Sequence, residues 1–222
     1  MHNLPYPTAT QLSFFMASAR FEKSAAHPQQ LPPAKHPEVA FVGRSNVGKS
    51  SAINTLTSRA HLARVSRKPG RTQLINFFRL PNGSALIDLP GYGYAAVPEE
   101  IRRNWAPLLK AYLGQRTALV GLVVVMDARR PFTPLDQQLL RWVAPRHLPV
   151  FCLLTKADKL PRHEQHQTLH RAKLQAAQFP LDIDVQLFSS LKKNGVETLI
   201  QGLVPWLKAV EWIHYPGKNE AL

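Results

Sequence analysis

The sequence predicts an α/β fold, in which a mostly parallel sheet is flanked by helices on both faces. From Glu38 to about residue 210, short apolar strands alternate with segments of helical spacing, which favours parallel strands joined by helices. Leu119–Met126 is a continuous run rich in β-branched residues, typical of a strand buried on both faces. Val39–Val42 is a short apolar strand that ends in a glycine turn. Such sheets bind ligands at the carboxyl ends of their strands, where this turn would lie.

Each expected element follows from its local pattern. Segment 99–113 carries apolar residues at Ile101, Trp105, Leu108 and Tyr112, the spacing of one helix face. The predicted strands are Val39–Val42, Leu74–Leu80, Ala85–Leu89, Leu119–Met126, Val150–Leu154 and Val185–Phe188. The predicted helices are Lys49–Leu56, Glu99–Leu113, Leu135–Val143, Arg162–Ala177 and Val196–Val210.

Composition sets the expected domain boundaries. Residues 1–37 are expected to form a proline-rich, extended N-terminal segment with one helical turn around Gln11–Ala19. Residues 38–210 would form the α/β domain, and residues 211–222 a basic C-terminal tail. A length of 222 residues fits one such domain with short extensions, and a hydrophobic content of 45% argues against wholesale disorder.

The charge balance is strongly basic. Lysine and arginine number 28 against 14 aspartates and glutamates, which gives a formal net charge of +14. Such an excess predicts attraction to a polyanion, and nucleic acid is favoured over an acidic membrane surface. A single cysteine, Cys152, lies in an apolar run and is expected to be a core residue in a reducing compartment. Because we find no signal peptide and no apolar run of membrane-spanning length, a cytoplasmic location is expected.

A phosphate-binding loop follows the first predicted strand. The stretch Gly43-Arg-Ser-Asn-Val-Gly-Lys-Ser50 fits the pattern G-x-x-x-x-G-K-[ST]. Its glycines allow successive backbone N–H groups to turn toward phosphate oxygens, and the helix that begins near Lys49 adds its positive dipole end. Lys49 can reach the β- and γ-phosphates, and the Ser50 hydroxyl can bind Mg²⁺. The alternative is an ordinary glycine turn, but the position between a strand and a helix favours a P-loop NTPase.

Two further motifs follow later strands. Asp88-Leu-Pro-Gly91 ends the strand Ala85–Leu89, where the carboxylate can orient a magnesium shell and Gly91 can offer its N–H to a γ-phosphate. Thr155-Lys-Ala-Asp158 follows the strand Val150–Leu154. A carboxylate only accepts hydrogen bonds, and guanine offers two adjacent donors that adenine lacks, so Asp158 would select guanine. A polar helix cap is the alternative for Asp158.

Together these motifs resemble a known family. The stretches Gly43-Arg-Ser-Asn-Val-Gly-Lys-Ser-Ser51, Pro69-Gly-Arg-Thr-Gln73 and Asp88-Leu-Pro-Gly-Tyr-Gly-Tyr94 are similar to those of the EngB (YihA/YsxC) family of bacterial ribosome-biogenesis GTP-binding proteins. This family is one of the TrmE-Era-EngA-EngB-septin-like GTPases, whose G domains are Ras-like. The likeness covers about residues 21–207. The sequence departs from the pattern at Ser189-Ser190, where Ser-Ala is commoner.

The resemblance implies a monomeric GTPase that acts as a switch in assembly of the large ribosomal subunit and is necessary for normal cell division and septation. It implies Mg²⁺ held by Ser50, Thr72 and Asp88, and catalysis that depends on Lys49, Thr72 and Asn46. It also implies that GTP and GDP are bound by the residues of five segments. These are Gly43, Arg44, Ser45, Asn46, Val47, Gly48, Lys49, Ser50 and Ser51; Gly70, Arg71, Thr72, Gln73 and Leu74; Asp88, Leu89, Pro90 and Gly91; Thr155, Lys156, Ala157 and Asp158; and Phe188, Ser189 and Ser190.

Two residues bear on hydrolysis. Tyr92 directly follows the glycine of the D-x-x-G motif, where Ras-like enzymes have a glutamine that orients the attacking water. A phenol cannot serve as that carboxamide, so slow intrinsic hydrolysis or another way of orienting water is expected. Asn46 lies where related potassium-activated GTPases have an asparagine that helps to hold a monovalent cation. Potassium activation is therefore a hypothesis, and a simple turn role for Asn46 is its alternative.

The segment Ser58–Gln73 is expected to be a switch loop. It carries five cations, Arg59, Arg64, Arg67, Lys68 and Arg71, and would order on the γ-phosphate, so it suggests RNA contact gated by GTP. A solvated basic loop is the alternative. Other interpretations of the whole chain are an RNA-binding scaffold with a regulatory nucleotide site, an ATP-driven enzyme, and a membrane-associated GTPase. The motif set argues against the first two, and no amphipathic terminal helix or lipidation motif supports the third.

Overall fold

The computed structural model describes residues 6–64, 74–92 and 108–214. Within them lies a seven-stranded sheet of order β1-β3-β4-β2-β5-β6-β7. Its strands are β1 (Arg20–Ala25), β2 (Glu38–Gly43), β3 (Ile75–Arg79), β4 (Ala85–Asp88), β5 (Leu119–Asp127), β6 (Val150–Thr155) and β7 (Ile183–Leu187). Parallel pairing joins β4, β2, β5, β6 and β7, whereas β3 is antiparallel to both β4 and β1. The predicted mostly parallel sheet is confirmed.

Helices cover both faces of the sheet, as expected. Those with bounds in the described ranges are α1 (Ala9–Ala17), α2 (Lys49–Leu56), α3 (Pro134–Val143), α4 (Arg162–Ala176), α5 (Val196–Trp206) and α6 (Ala209–His214). Along β5, alternate residues enter different cores, since Leu122 and Val124 pack with α3 and α4 while Val123 and Val125 pack with α1, α2 and α5. Residues 108–115 are also helical, and the rest of the predicted helix Glu99–Leu113 lies outside the described residues.

The N-terminal segment differs from the expectation. Instead of an extended chain with one turn, α1 begins after Thr8 with a capping box formed with Gln11. It buries Leu12, Phe15 and Met16, and Ala25 of the following strand is buried at the sheet edge. The prolines lie outside this stretch, so they did not prevent a helix and a strand.

The predicted closing helix Val196–Val210 is two helices. The chain breaks between α5 and α6 at Lys208, whose φ is 51°, a left-handed conformation that ends a right-handed helix. Pro205, which lacks a backbone N–H, lies in the last turn of α5 and weakens the helix there.

Cys152 and Glu38 are buried in the protein interior. Cys152 is fully buried as predicted, and desolvation raises the pKa of its thiol, so the thiol stays protonated. At the amino end of β2, Glu38 is 1% exposed and pairs with Arg116 through Oε1–Nη2 at 2.5 Å and Oε2–Nε at 2.9 Å. The Tyr112 hydroxyl also donates to Glu38 Oε2 at 2.6 Å.

In the described ranges, no helix has the length and apolar content needed to cross a membrane.

Candidate nucleotide site

The sequence motifs meet at one edge of the sheet. Strand register explains this, because Gly43 pairs with Val125, Asp88 pairs with Phe41, and Asp127 pairs with Thr155. Since these strands are parallel, their carboxyl ends lie side by side. The loop 43–50 therefore has the end of β4 on one side and the ends of β5 and β6 on the other.

The P-loop has a backbone that few other sequences would permit. A Cβ atom on Gly43 would collide with the Val125 carbonyl oxygen of the neighbouring strand. Gly48 has a φ of 102° and Asn46 a φ of 64°, both in the left-handed region that glycine and asparagine tolerate best. Gly48 is the N-cap of α2, so the first turn of that helix, with Lys49, Ser50 and Ser51, opens directly onto the loop.

Lys49 and Asp88 form an ion pair between Nζ and Oδ1. The side chains are 12% and 4% exposed, so the pair is largely shielded from water. Lys49, which is predicted to contact the phosphates, and Asp88, which is predicted to orient the magnesium ion, therefore lie together although they are far apart in the chain. Gly91, the last residue of the D-x-x-G motif, lies against the P-loop, since a Cβ atom on it would be 3.0 Å from Ser45 Oγ.

The motif after β6 is bonded to the P-loop. The Thr155 hydroxyl donates to the Val47 carbonyl and lies 2.9 Å from the Met126 carbonyl oxygen. Lys156 Nζ donates to the Asn46 carbonyl oxygen at 2.7 Å. These contacts bring the expected base-reading segment against the expected phosphate loop, which is the juxtaposition that one nucleotide would need.

Asp158 and the last motif also come together. Ser189 Oγ donates to Asp158 Oδ1 at 2.5 Å, and the Ala157 N–H donates to the Phe188 carbonyl at 3.1 Å. Phe188 and Ser189 are buried. The hydrogen bond from Ser189 fixes the orientation of the Asp158 carboxylate and leaves its second oxygen, Oδ2, outside that bond.

Asp127 is a site residue that the sequence analysis missed. Its carboxylate pairs with Lys156 at 3.0 Å and with Arg129 at 2.7 Å. Burial alone would raise the pKa of Asp127, but hydrogen bonds from Arg129 and Lys156 outweigh it and hold the pKa well below its usual range. The anionic carboxylate thus helps to hold the Lys156 ammonium group beside the Asn46 carbonyl of the loop. The sequence signal that could have identified it is an acidic residue directly after the predicted buried strand Leu119–Met126.

The oxygen donors at the phosphate end fit a hard divalent ion. A serine hydroxyl at Ser50 and a carboxylate at Asp88 are ligands that Mg²⁺ prefers. Within the described ranges, no group of three or more His, Cys, Asp or Glu side chains could hold a metal by itself. The other predicted ligand, Thr72, lies outside the described residues together with Gly70, Arg71 and Gln73, and the described Leu74 is 37% exposed.

Comparison with known proteins assigns the chain to a family. The model of the family described as 50S ribosome-binding GTPase matches residues 38–156. The chain is 55% identical over 190 residues to the probable GTP-binding protein EngB of Aromatoleum aromaticum, over 86% of this chain and 88% of that protein. It is 56% identical over 192 residues to the corresponding protein of an Azoarcus species, over 86% and 91% of the two chains. A crystal structure of a probable GTP-binding protein EngB matches the fold with a TM-score of 0.61 at 22% identity, over 77% and 98% of the two chains.

A mostly parallel sheet with a P-loop after β2, matched by a GTPase family model, defines the class: the chain is a P-loop GTPase. Sequence identity above 50% to two EngB proteins, over most of the length of each, narrows the class to one family. The chain belongs to the EngB family of GTP-binding proteins, and the resemblance drawn from its motifs is confirmed.

Proposed function

We propose that this GTPase binds GTP and GDP at the edge formed by β2, β4, β5 and β6, and acts as a nucleotide switch in assembly of the large ribosomal subunit. The main observation in support of this nucleotide site is the pair of hydrogen bonds from Thr155 and Lys156 to the P-loop. They hold a guanine-reading motif and a phosphate-reading motif at one place. The family description, a 50S ribosome-binding GTPase, supports the partner.

In this proposal each motif has a distinct role. The backbone of the P-loop cradles the α- and β-phosphates, and Lys49 leaves Asp88 to meet the β- and γ-phosphates. Asp158 accepts from guanine N1–H and the 2-amino group, and backbone N–H groups near Ser189 and Ser190 face the guanine oxygen. Ser50, Asp88 and Thr72 hold Mg²⁺, which when bound neutralises charge that develops on the phosphates.

The intrinsic hydrolysis rate should depend on potassium. Asn46 is exposed at the mouth of the P-loop, and its carbonyl is already bound by Lys156, so its carboxamide is the group that could assist a monovalent ion. We expect turnover at least about tenfold faster in potassium than in sodium buffer, because a positioned cation can replace the charge of an arginine finger. Steady-state phosphate release in matched salts measures this. Asn46→Ala should remove the difference, and equal rates in both salts for the unaltered chain would refute it.

Ribosomal RNA is the proposed polyanion. The formal net charge of +14 supplies the attraction, and the described part of the segment 58–73 presents exposed Arg64. In the proposal this segment touches RNA when GTP orders it. The chain would then act as a monomer in the cytoplasm, where subunits assemble, and cell division and septation would fail indirectly when ribosomes run short.

Binding to purified large subunits should be gated by the nucleotide. We expect tighter filter binding with a non-hydrolysable GTP analogue than with GDP, and Arg64→Glu should lower the logarithmic salt slope of the GTP-analogue complex by about one. Lys173→Glu is the control, because it makes the same charge change at an exposed position of α4. Equal affinity in both nucleotide states would contradict the gating.

Assembly itself is tested in depleted cells. Sedimentation of ribosomal particles should show a late precursor of the large subunit that disappears on re-expression. A normal particle profile in cells that already fail to divide would overturn the assembly role and leave the GTPase assignment intact.

A further inference from the structure

Tyr92 occupies the position after Gly91, yet its side chain belongs to the protein interior. The residue is 9% exposed, and its hydroxyl donates to Asp136 Oδ1 at 2.6 Å. Asp136 lies in the first turn of α3 and is 1% exposed. The phenol therefore points to the helix that follows β5 and reaches a partner across the core.

Asp136 is itself fixed by the start of its helix. Its other oxygen, Oδ2, accepts from the Thr133 N–H at 2.8 Å and from the Thr133 hydroxyl at 2.6 Å. This is the reciprocal arrangement of a helix cap, which holds the carboxylate rigidly. Burial first, and then the charge of Asp136, raise the pKa of Tyr92 far above its usual range, so the phenol keeps its proton and remains the donor.

The main chain of Tyr92 is bound to the P-loop. Its N–H donates to the Gly43 carbonyl at 3.2 Å, and its carbonyl accepts from the Ser45 N–H at 3.1 Å. Arg44 and Tyr92 thus form a parallel bridge that extends the sheet beyond the end of β4. Tyr92 is held on two sides, by the P-loop through its backbone and by α3 through its hydroxyl.

We propose that Tyr92 is a positioning residue: its bond to Asp136 fixes the peptide next to Gly91, so that the Gly91 N–H is held ready for a γ-phosphate. The proposal rests on the proposed function, in which Gly91 meets that phosphate. It also explains why this position has no water-orienting carboxamide, because the side chain there serves to anchor the turn. The effect should fall on GTP and not on GDP, since GDP lacks the group that Gly91 meets.

A second buried tyrosine supplies the matched control. Tyr112 donates to buried Glu38 at 2.6 Å, the same donor, acceptor type and length, but at the amino end of β2. Removing either hydroxyl leaves a buried carboxylate short of one hydrogen bond, so both Tyr92→Phe and Tyr112→Phe should lower the urea midpoint of unfolding. Only the change at Tyr92 should alter nucleotide discrimination.

The experiment compares affinities for a non-hydrolysable GTP analogue and for GDP in the two variants. We expect Tyr92→Phe to weaken binding of the analogue about fivefold, with a lower kcat for GTP, and to change GDP affinity by less than about twofold. Tyr112→Phe should leave the ratio of the two affinities unchanged. Asp136→Asn, which weakens the acceptor and keeps its shape, should repeat the effect of Tyr92→Phe and replaces that variant if it does not fold.

The outcomes separate cleanly. A ratio of affinities in Tyr92→Phe and Asp136→Asn that is unchanged from that of the unaltered chain would overturn the positioning role and leave only a structural hydrogen bond. A ratio that shifts equally in these two variants and in Tyr112→Phe would overturn it as well, since stability alone would then explain the change. If the unaltered chain neither hydrolysed GTP nor bound it, the proposed function would have failed instead.

Discussion

Asp158→Asn should weaken GDP binding about 100-fold and admit xanthine nucleotides in place of guanine nucleotides. The substituted amide can still accept one hydrogen bond from guanine, but its N–H₂ group would face the guanine 2-amino group, donor against donor. Loss of one charge-assisted hydrogen bond, together with loss of the charge assistance of the other, should cost about 3 kcal/mol, which corresponds to this factor. Xanthine carries an oxygen at that position, which the amide can donate to. Ser189, which donates to Asp158 at 2.5 Å, would keep the new side chain in place.

The measurement is fluorescence titration with labelled GDP, followed by competition with unlabelled XDP. Asp184→Asn is the control, because it makes the same change at an exposed position of the neighbouring β7. Unchanged GDP affinity in Asp158→Asn would show that another group reads the base. A loss without any gain for XDP would show that the carboxylate holds the loop but does not contact the base.

Glu38→Leu should lower the free energy of unfolding by about 3–5 kcal/mol. The change removes the partner of Arg116, whose side chain is 9% exposed, and leaves a buried cation without its counter-ion. The Tyr112 hydroxyl would lose its acceptor as well. Because these contacts join β2 to the helical residues 108–115 and to the turn before β5, the loss should appear in global unfolding.

Urea unfolding at one fixed GDP concentration measures the effect, since bound nucleotide also adds stability. Glu22→Leu is the surface control: it breaks the pair with Arg79, where the glutamate is 34% exposed, and should cost less than about 1 kcal/mol. Combining Glu38→Leu with Arg116→Leu should recover part of the loss, because no unpaired charge then remains. A cost at Glu38 no larger than that at Glu22 would contradict the argument.

Local patterns predicted the elements around the P-loop well. The bounds Lys49–Leu56 of α2 were predicted residue for residue, and the strand Leu119–Met126 extends by one residue to Asp127. Both carry strong local signals, a glycine turn with a lysine in the one case and a β-branched run in the other. β1 carries none, because Arg20–Ala25 is a mixed polar segment that becomes a strand only by pairing with β3 at the sheet edge.

The same division holds at the candidate site. Motifs named Gly43, Lys49, Asp88 and Thr155 in advance, and the described structure brings these residues to one edge of the sheet. Their contacts to partners distant in the chain were not predictable in the same way. A hydrogen bond between Tyr92 and Asp136 joins residues 44 positions apart, and the local sequence around either residue does not predict the other as its partner.

The sequence by itself therefore determined the class of site and the order of the elements, because glycine spacing, hydrophobic periodicity and motif order are local properties of a chain. Only the tertiary structure decided which side chains the site engages. Parallel register places Asp127 beside Lys156, and the Asp136 carboxylate that caps α3 accepts a hydrogen bond from the Tyr92 hydroxyl within the core. Both depend on which strands and helices are neighbours, and neighbours are chosen by burial of the whole core and not by any one segment.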